Sequence, residues 1–274
     1  MKRLAYIPLL FGLLSLAGLL YTPELASVWM RSLLVAACFL TGISAFMTTA
    51  RFSAGDRLFV CWLMIGAAYV VSGVRHGVRL LGTTVMPSLA LPDLAANAMI
   101  IAQNALIALS LLLFVLAWRA TGLAMPGSRF AQLGSIVAGV AVAIVVGGYP
   151  LLKGLQASAT NPALVISTIG DMIGIALIVP LALPALAMRG GLLMHTWMYL
   201  AASEVAWLLY DIWWALQPMM EGVRSGSALL EAIRVVAITF AFAASVAQRR
   251  GLVGVRQDFD STTSWNAASE VSWR

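Results

Sequence analysis

Residues 166–191, ISTIGDMIGIALIVPLALPALAMRGG, residues 195–216, HTWMYLAASEVAWLLYDIWWAL, and residues 227–250, SALLEAIRVVAITFAFAASVAQRR, decide how the chain is read. Each run is close to the roughly 20 apolar residues that carry a helix across about 30 Å of hydrocarbon. Each also holds charge: Asp171 in the first, Glu204 and Asp211 in the second, Glu231 and Arg234 in the third. A charge at the centre of a bilayer costs about 2.5–3.5 kcal/mol on insertion scales, so ionisable residues in spanning helices are seldom idle. The chain is therefore expected to be helical and membrane-embedded, with its function near these charges.

The rest of the sequence agrees. Of 274 residues, 61% are hydrophobic and 10% charged, against roughly 25% charged in a soluble domain. The net charge of +6 would suggest nucleic acid in a soluble protein. Here the basic residues stand between apolar runs, the mark of a cytoplasmic membrane face. The expected partner is the lipid bilayer, and nucleic acid is excluded.

About eight spans can be drawn, roughly 5–21, 27–49, 58–80, 95–118, 131–152, 163–188, 192–216 and 227–248. Segments this apolar must satisfy their backbone internally, so the fold class is all-α and polytopic. One side of the membrane collects Lys2, Arg3, Arg51, Arg57, Arg119, Arg129, Arg189, Arg249, Arg250 and Arg256. The other holds Arg75, Arg79, Lys153 and Arg224, beside Glu24, Asp93 and Glu221. The positive-inside rule puts the first side and both termini in the cytoplasm, as in a bacterial inner (plasma) membrane protein. The opening MKRLAYIPLLFGLLSLAGLL is signal-like, but YTPELAS offers no small-x-small cleavage site, so a retained first helix is expected. Residues 1–250 form the transmembrane domain, and polar residues 251–274 are expected to be a flexible cytoplasmic tail. Cys38 and Cys61 lie in apolar runs and read as buried free thiols.

The third run, CWLMIGAAYVVSGVRHG, aligns with the seventh, TWMYLAASEVAWLLYDI, when Trp62 is set on Trp197; His76 then falls opposite Asp211. Two four-helix halves would produce this, and so would chance likeness between two apolar helices. Pro180 and Pro184 predict a kink in the sixth helix.

At about 1.5 Å per residue, Asp171 lies ~12 Å and Asp211 ~9 Å below the outer ends of their helices. Arg234 is level with Asp171, and Glu231 lies one turn above it. Arg31, Arg75 and His76 reach a similar or shallower level. Glu204 shares a face with Asp211 but lies about two turns deeper, and is the candidate proton carrier. Ser167, Asp171 and Gly174 form one face small enough for close approach of another backbone, and Asn97 and Asn104 repeat at seven. These positions predict an outward-facing polar cavity walled or belted by Trp207, Trp213 and Trp214. Its candidate ligand-binding or proton-linked residues are Asp171, Glu204, Asp211, Glu231, Arg234, Arg75 and His76. An Asp171–Arg234 pair is expected, either as part of a ligand site or as a clasp between helices.

Several chemistries are set aside. His76 and His195 fall at opposite membrane faces and cannot share a haem or metal. Lys2 and Lys153 lie at helix ends, which excludes a retinal Schiff base. No phosphate loop, HExxH or GxSxG occurs. Tyr210–Asp211 and the fragment Thr168–Asp171 are similar to motifs of aspartic intramembrane proteases. The first glycine is absent, however, and the order along the chain is reversed. No catalytic set, metal or cofactor is expected.

Residues 149–250 resemble the C-terminal half of the multi-helix membrane sensor regions that stand in front of bacterial signalling modules. The likeness rests on Tyr149–Pro150, Asp171, the loop Arg189–Gly190–Gly191, Trp197, Asp211, Glu231, Arg234 and Gln248–Arg250. It implies a sensory or ligand-binding module. No kinase, cyclase or phosphodiesterase domain follows Arg250 in this sequence, so the signal is expected to pass to a partner chain in the membrane or cytoplasm. The alternatives are a small proton-coupled secondary transporter using Glu204 and Asp211, and a structural subunit of a membrane complex.

Overall fold

The computed structural model describes residues 2–89, 91–120, 127–156, 162–188, 191, 193–216 and 224–271, and every regular element among them is helical. The α-helices are α1 (Tyr6–Leu16), α2 (Pro23–Thr49), α3 (Arg57–Thr84), α4 (Asp93–Ala120), α5 (Arg129–Gln156), α6 (Pro162–Ala187), α7 (Met194–Leu216) and α8 (Arg224–Val271). Their starts follow local chemistry. Pro23 sits in the first turn of α2, where its missing N–H costs nothing. Asp93 opens α4 and Arg119 lies in its last turn, both favourable to the helix dipole. Between α2 and α3, Asp56 accepts hydrogen bonds from the backbone N–H and hydroxyl of Ser53, fixing the turn.

Six of these helices contain stretches long and apolar enough to cross a membrane: Leu25–Thr49, Arg57–Thr84, Asp93–Ala120, Arg129–Tyr149, Val165–Ala187 and Leu229–Val253. The chain therefore has the make-up of a multi-pass membrane protein. The other two expected spans miss these criteria for different reasons. As an α-helix, α1 has 11 residues, about 16 Å at 1.5 Å each; 3₁₀ turns at Lys2–Ala5 and Ala17–Leu20 extend it. At 23 residues α7 is long enough, but His195, Glu204, Asp211 and its tryptophans and tyrosines dilute its apolar character. Helix α6 includes both Pro180 and Pro184, and α8 extends past Arg250 to Val271.

Packing closes a ring: α2 lies against α3, α3 against α4, α4 against α6, α6 against α7, α7 against α8, and α8 returns to α2. Outside it, α1 rests on α8 and α5 on α6. The seam between α2 and α8 is made of small residues. Thr41 and Thr48 donate to the carbonyls of Ile238 and Ser245, and the Ser44 and Ser245 hydroxyls meet at 2.5 Å. Ala237, Ala241, Ala244 and Ala247 are buried along the same helix. Small and hydroxylated residues allow such close approach where no hydrophobic effect drives association. Residue numbers rise together on both helices across these bonds, so α2 and α8 run parallel. At Gly42 an added Cβ would stand 3.2 Å from the carbonyl of Gly66, so α2 and α3 are nearly in backbone contact.

Helices consecutive in the chain, such as α2 and α3, run in opposite directions, which defines two ends. One is called here the Asp93 end and the other the Arg57 end. At the Arg57 end the ring is filled. Phe114 lies between Trp62 and Trp197, edge-on to both at 5.3 and 5.6 Å, and Trp118 meets Trp197 at 5.9 Å. All four side chains are buried, and edge-to-face contact suits their ring quadrupoles. Helices α3 and α7, the pair aligned through Trp62 and Trp197, stand opposite each other across the ring. In contrast, α1 and α5 pack on non-equivalent neighbours. Large apolar side chains such as Leu13, Ile43, Val137, Val145 and Leu209 are exposed on the outside.

Candidate functional site

The Asp93 end is built differently: polar side chains converge there in two cavities on either side of α3 and α7. The first is cationic. Arg75, His76 and Arg79 stand within four residues of one another in the later turns of α3, so Arg75 and Arg79 share a face. Arg31 reaches in from α2, and Glu231 and Arg234 from α8, around a cavity of about 260 Å³. Tyr210 on α7 and Leu34 on α2 complete its wall.

Hydrogen bonds order this group. Arg234 donates through Nη1 to both carboxylate oxygens of Glu231, at 2.9 and 3.1 Å. Its Nη2 reaches His76 Nε2 at 3.1 Å, and Arg75 Nη2 reaches the same nitrogen at 2.9 Å. A guanidinium can only donate, so His76 Nε2 accepts from both and the ring proton belongs on Nδ1. The Arg234 guanidinium also lies 5.5 Å from the centroid of the Tyr210 ring, a cation–π distance. Arg31 donates to the Thr83 hydroxyl at 3.1 Å. Arg75 Nε is buried with no hydrogen-bond partner.

The second cavity is acidic and small, about 40 Å³, room for one or two waters. Asp171 on α6 and Glu204 on α7 face it with Gln103 and Asn104 of α4. Tyr69 and Trp207 close it. The Glu204 carboxylate rests on Gly174, where any Cβ would collide with Oε2. Asn104 donates to the Ser167 hydroxyl at 2.8 Å. The small-residue face Ser167–Asp171–Gly174 thus receives polar side chains from α4 and α7 rather than another backbone. Asp211 lies within electrostatic reach of both Asp171 and Glu204. Glu204 therefore shares its cavity with a second carboxyl, Asp171.

Only a thin wall divides the two cavities. Trp207 lines the acidic one and Tyr210 the cationic one, and their rings meet edge-on at 5.6 Å. The wall separates the partners of the expected pair: Arg234 binds Glu231 and His76, and no ion pair joins it to Asp171. Depth along a helix places both residues at one level, whereas their bearing around the ring places them in different cavities.

The other expected groups fall as follows. Arg75, His76, Glu231 and Arg234 come together in the cationic cavity, and Asp171 and Glu204 line the acidic one, with Asp211 in electrostatic reach but outside its lining. Arg31 and Arg79 belong to the cationic group although sequence reasoning counted Arg79 only toward topology. The signal was the spacing Arg75–Arg79, one helical turn. Cys38 and Cys61 are free and buried. Among the described residues no group of three or more His, Cys, Asp or Glu is arranged to hold a metal ion. Arg189, Gly190 and Glu221, and the side chains of Lys153, Trp214 and Arg224, lie outside the described residues.

Compared with protein-family models, curated proteins and solved structures, the chain matches none.

Proposed function

We propose that this chain is an integral-membrane ligand-binding module of sensory type, open at the Asp93 end and passing its state to a partner through α8. The observation that carries this reading is the contrast between the two ends of one ring. Polar cavities occupy the Asp93 end, while Trp62, Phe114, Trp118 and Trp197 fill the Arg57 end. A module that binds and reports needs access from one side only. The charge distribution supports setting the Asp93 end outward and both termini in the cytoplasm of a bacterial inner membrane. Helix α7 is read as a further span, because both its ring neighbours, α6 and α8, contain spans and its polar groups face the cavities. With α1 included, this gives eight membrane helices, and the opposed α3 and α7 support two related four-helix halves. The resemblance of residues 149–250 to membrane sensor regions supports the same role.

A proton-coupled secondary transporter is the second reading, favoured by Asp171 and Glu204 sharing one cavity with Asp211 in electrostatic reach. The two differ in access. Single cysteines at Gln103, in the acidic cavity, and at Trp118, in the aromatic layer, are labelled with a membrane-impermeant thiol reagent in a background lacking Cys38 and Cys61. The sensory reading expects Gln103→Cys to react in whole cells and not in inverted vesicles, and Trp118→Cys to react in neither. Reaction of Gln103→Cys from both sides would replace it with the transporter.

A further inference from the structure

We propose that the cationic cavity between α2, α3, α7 and α8 binds a dianion of the phosphate class, either a free phosphate or a lipid headgroup that is a phosphate monoester. This deepens the ligand-binding reading above and rests on it. The argument begins with charge. Arg31, Arg75, Arg79 and Arg234 bring four guanidinium charges to one cavity, and Glu231 is the one carboxylate among the residues lining it. Three positive charges are left over. His76 adds no charge of its own, since its Nε2 accepts from two of the arginines and so carries no proton. Guanidinium groups gathered within a few ångströms repel one another, and the repulsion is poorly screened away from bulk water. An excess of this size is matched better by a dianion than by a monovalent anion.

Geometry points the same way. Arg75 Nε is a buried donor without a partner, and a buried donor left unsatisfied is costly unless something accepts from it. Arg31, Arg75 and Arg234 reach the cavity from three different helices, α2, α3 and α8. That arrangement suits an anion with acceptor oxygens on every side, since guanidinium groups bind phosphate oxygens in pairs of N–H donors. The cavity, at about 260 Å³, has room for a phosphate together with a substituent. Glu231, which holds Arg234 through both carboxylate oxygens, is a built-in competitor: an arriving phosphate takes over part of the Arg234 donor set. The cavity wall is shared by α8, so this exchange acts directly on the helix that leads out of the ring.

The test uses the full chain in phosphatidylcholine nanodiscs, with thermal unfolding followed at constant ionic strength. Inorganic phosphate replacing chloride should raise the unfolding temperature by about 5 °C or more near a hundredfold excess over its Kd. If the occupant is instead a lipid headgroup, phosphatidic acid in the disc gives that shift and free phosphate does not. Either result supports the site, and the pair of arms identifies the source. Arg75→Gln should weaken the effective probe at least about tenfold, through loss of charge-assisted hydrogen bonds. Arg31→Gln, on the partly exposed rim, is the second variant should Arg75→Gln fail to fold. Ser135→Ala, on α5 outside the ring, should leave binding unchanged. The site is overturned if neither probe shifts the wild type, or if the shift survives unchanged in the folded arginine variants. One-sided labelling of Gln103→Cys without any phosphate effect would remove this ligand class and leave the sensory reading intact. Labelling from both sides with phosphate binding intact would do the reverse.

Discussion

The two ends of the six-helix ring are enclosed by the same helices and filled in opposite ways. At the Arg57 end, Trp62 and Phe114 are fully buried and stack edge-on, and the helices are held apart by aromatic volume. At the Asp93 end the space is kept open by charges that cannot pack against each other, four arginines on one side of α3 and α7 and a cluster of carboxyls on the other. The difference teaches how one bundle can be both rigid and receptive. The aromatic end supplies stability, and the polar end gives some of it up for room and charge.

Cutting the aromatic layer should therefore have the largest effect. Phe114→Ala removes the ring that joins Trp62 to Trp197, and is expected to cost about 3–5 kcal/mol of stability. Unfolding in detergent with the wild type alongside checks this. A loss below about 1 kcal/mol would mean that the layer is not the structural centre.

Gly174→Ala comes next. Its new methyl group meets the Glu204 carboxylate, so destabilisation of about 1–3 kcal/mol is expected from overpacking. Combining it with Glu204→Ala should recover a large part of that loss, because the clashing oxygens are then gone. Simple addition of the two effects would place Glu204 elsewhere.

The wall between the cavities predicts independence. Asp171→Asn and Arg234→Gln should combine additively within about 0.5 kcal/mol, whereas Glu231→Gln with Arg234→Gln should show clear coupling through their shared hydrogen bonds. A coupling energy above about 1 kcal/mol for the Asp171–Arg234 cycle would breach the wall. Smallest of all should be the stability effect of Glu204→Gln, within about 1 kcal/mol, because Gln keeps the size and a hydrogen-bonding group. A larger loss would make the carboxylate itself structural.

Much of this architecture is legible in hydropathy alone. The expected spans 58–80, 95–118 and 131–152 lie inside α3, α4 and α5, since each apolar run must be one continuous helix in a bilayer. Helical spacing also gives which residues of one helix share a face, as with Glu204 and Asp211 or Arg75 and Arg79. What spacing lacks is bearing: nothing in a single helix says which neighbour its polar face meets. That is why Asp171 and Arg234, level in depth, are assigned to each other from sequence and stand in separate cavities in the fold. The ring order is hidden for the same reason. The α2–α8 seam joins residues about 200 positions apart, and the serines and threonines that make it look like ordinary fillers in two apolar runs.

That seam also offers the most direct test of the ring. The Ser44 and Ser245 hydroxyls are 2.5 Å apart, close enough for two cysteines to approach disulfide geometry. In a background with Cys38 and Cys61 replaced by alanine, Ser44→Cys with Ser245→Cys should form an intramolecular disulfide in the membrane under mild oxidation. A protease site placed in the 121–126 connection then reports it: the two fragments stay joined until reductant is added. A closed ring predicts nearly complete joining for this pair, and none for Ser44→Cys with Ser135→Cys on α5. Fragments that separate without reductant, despite intact folded protein, would show that α8 does not return to α2 and that the cavities are not enclosed as described.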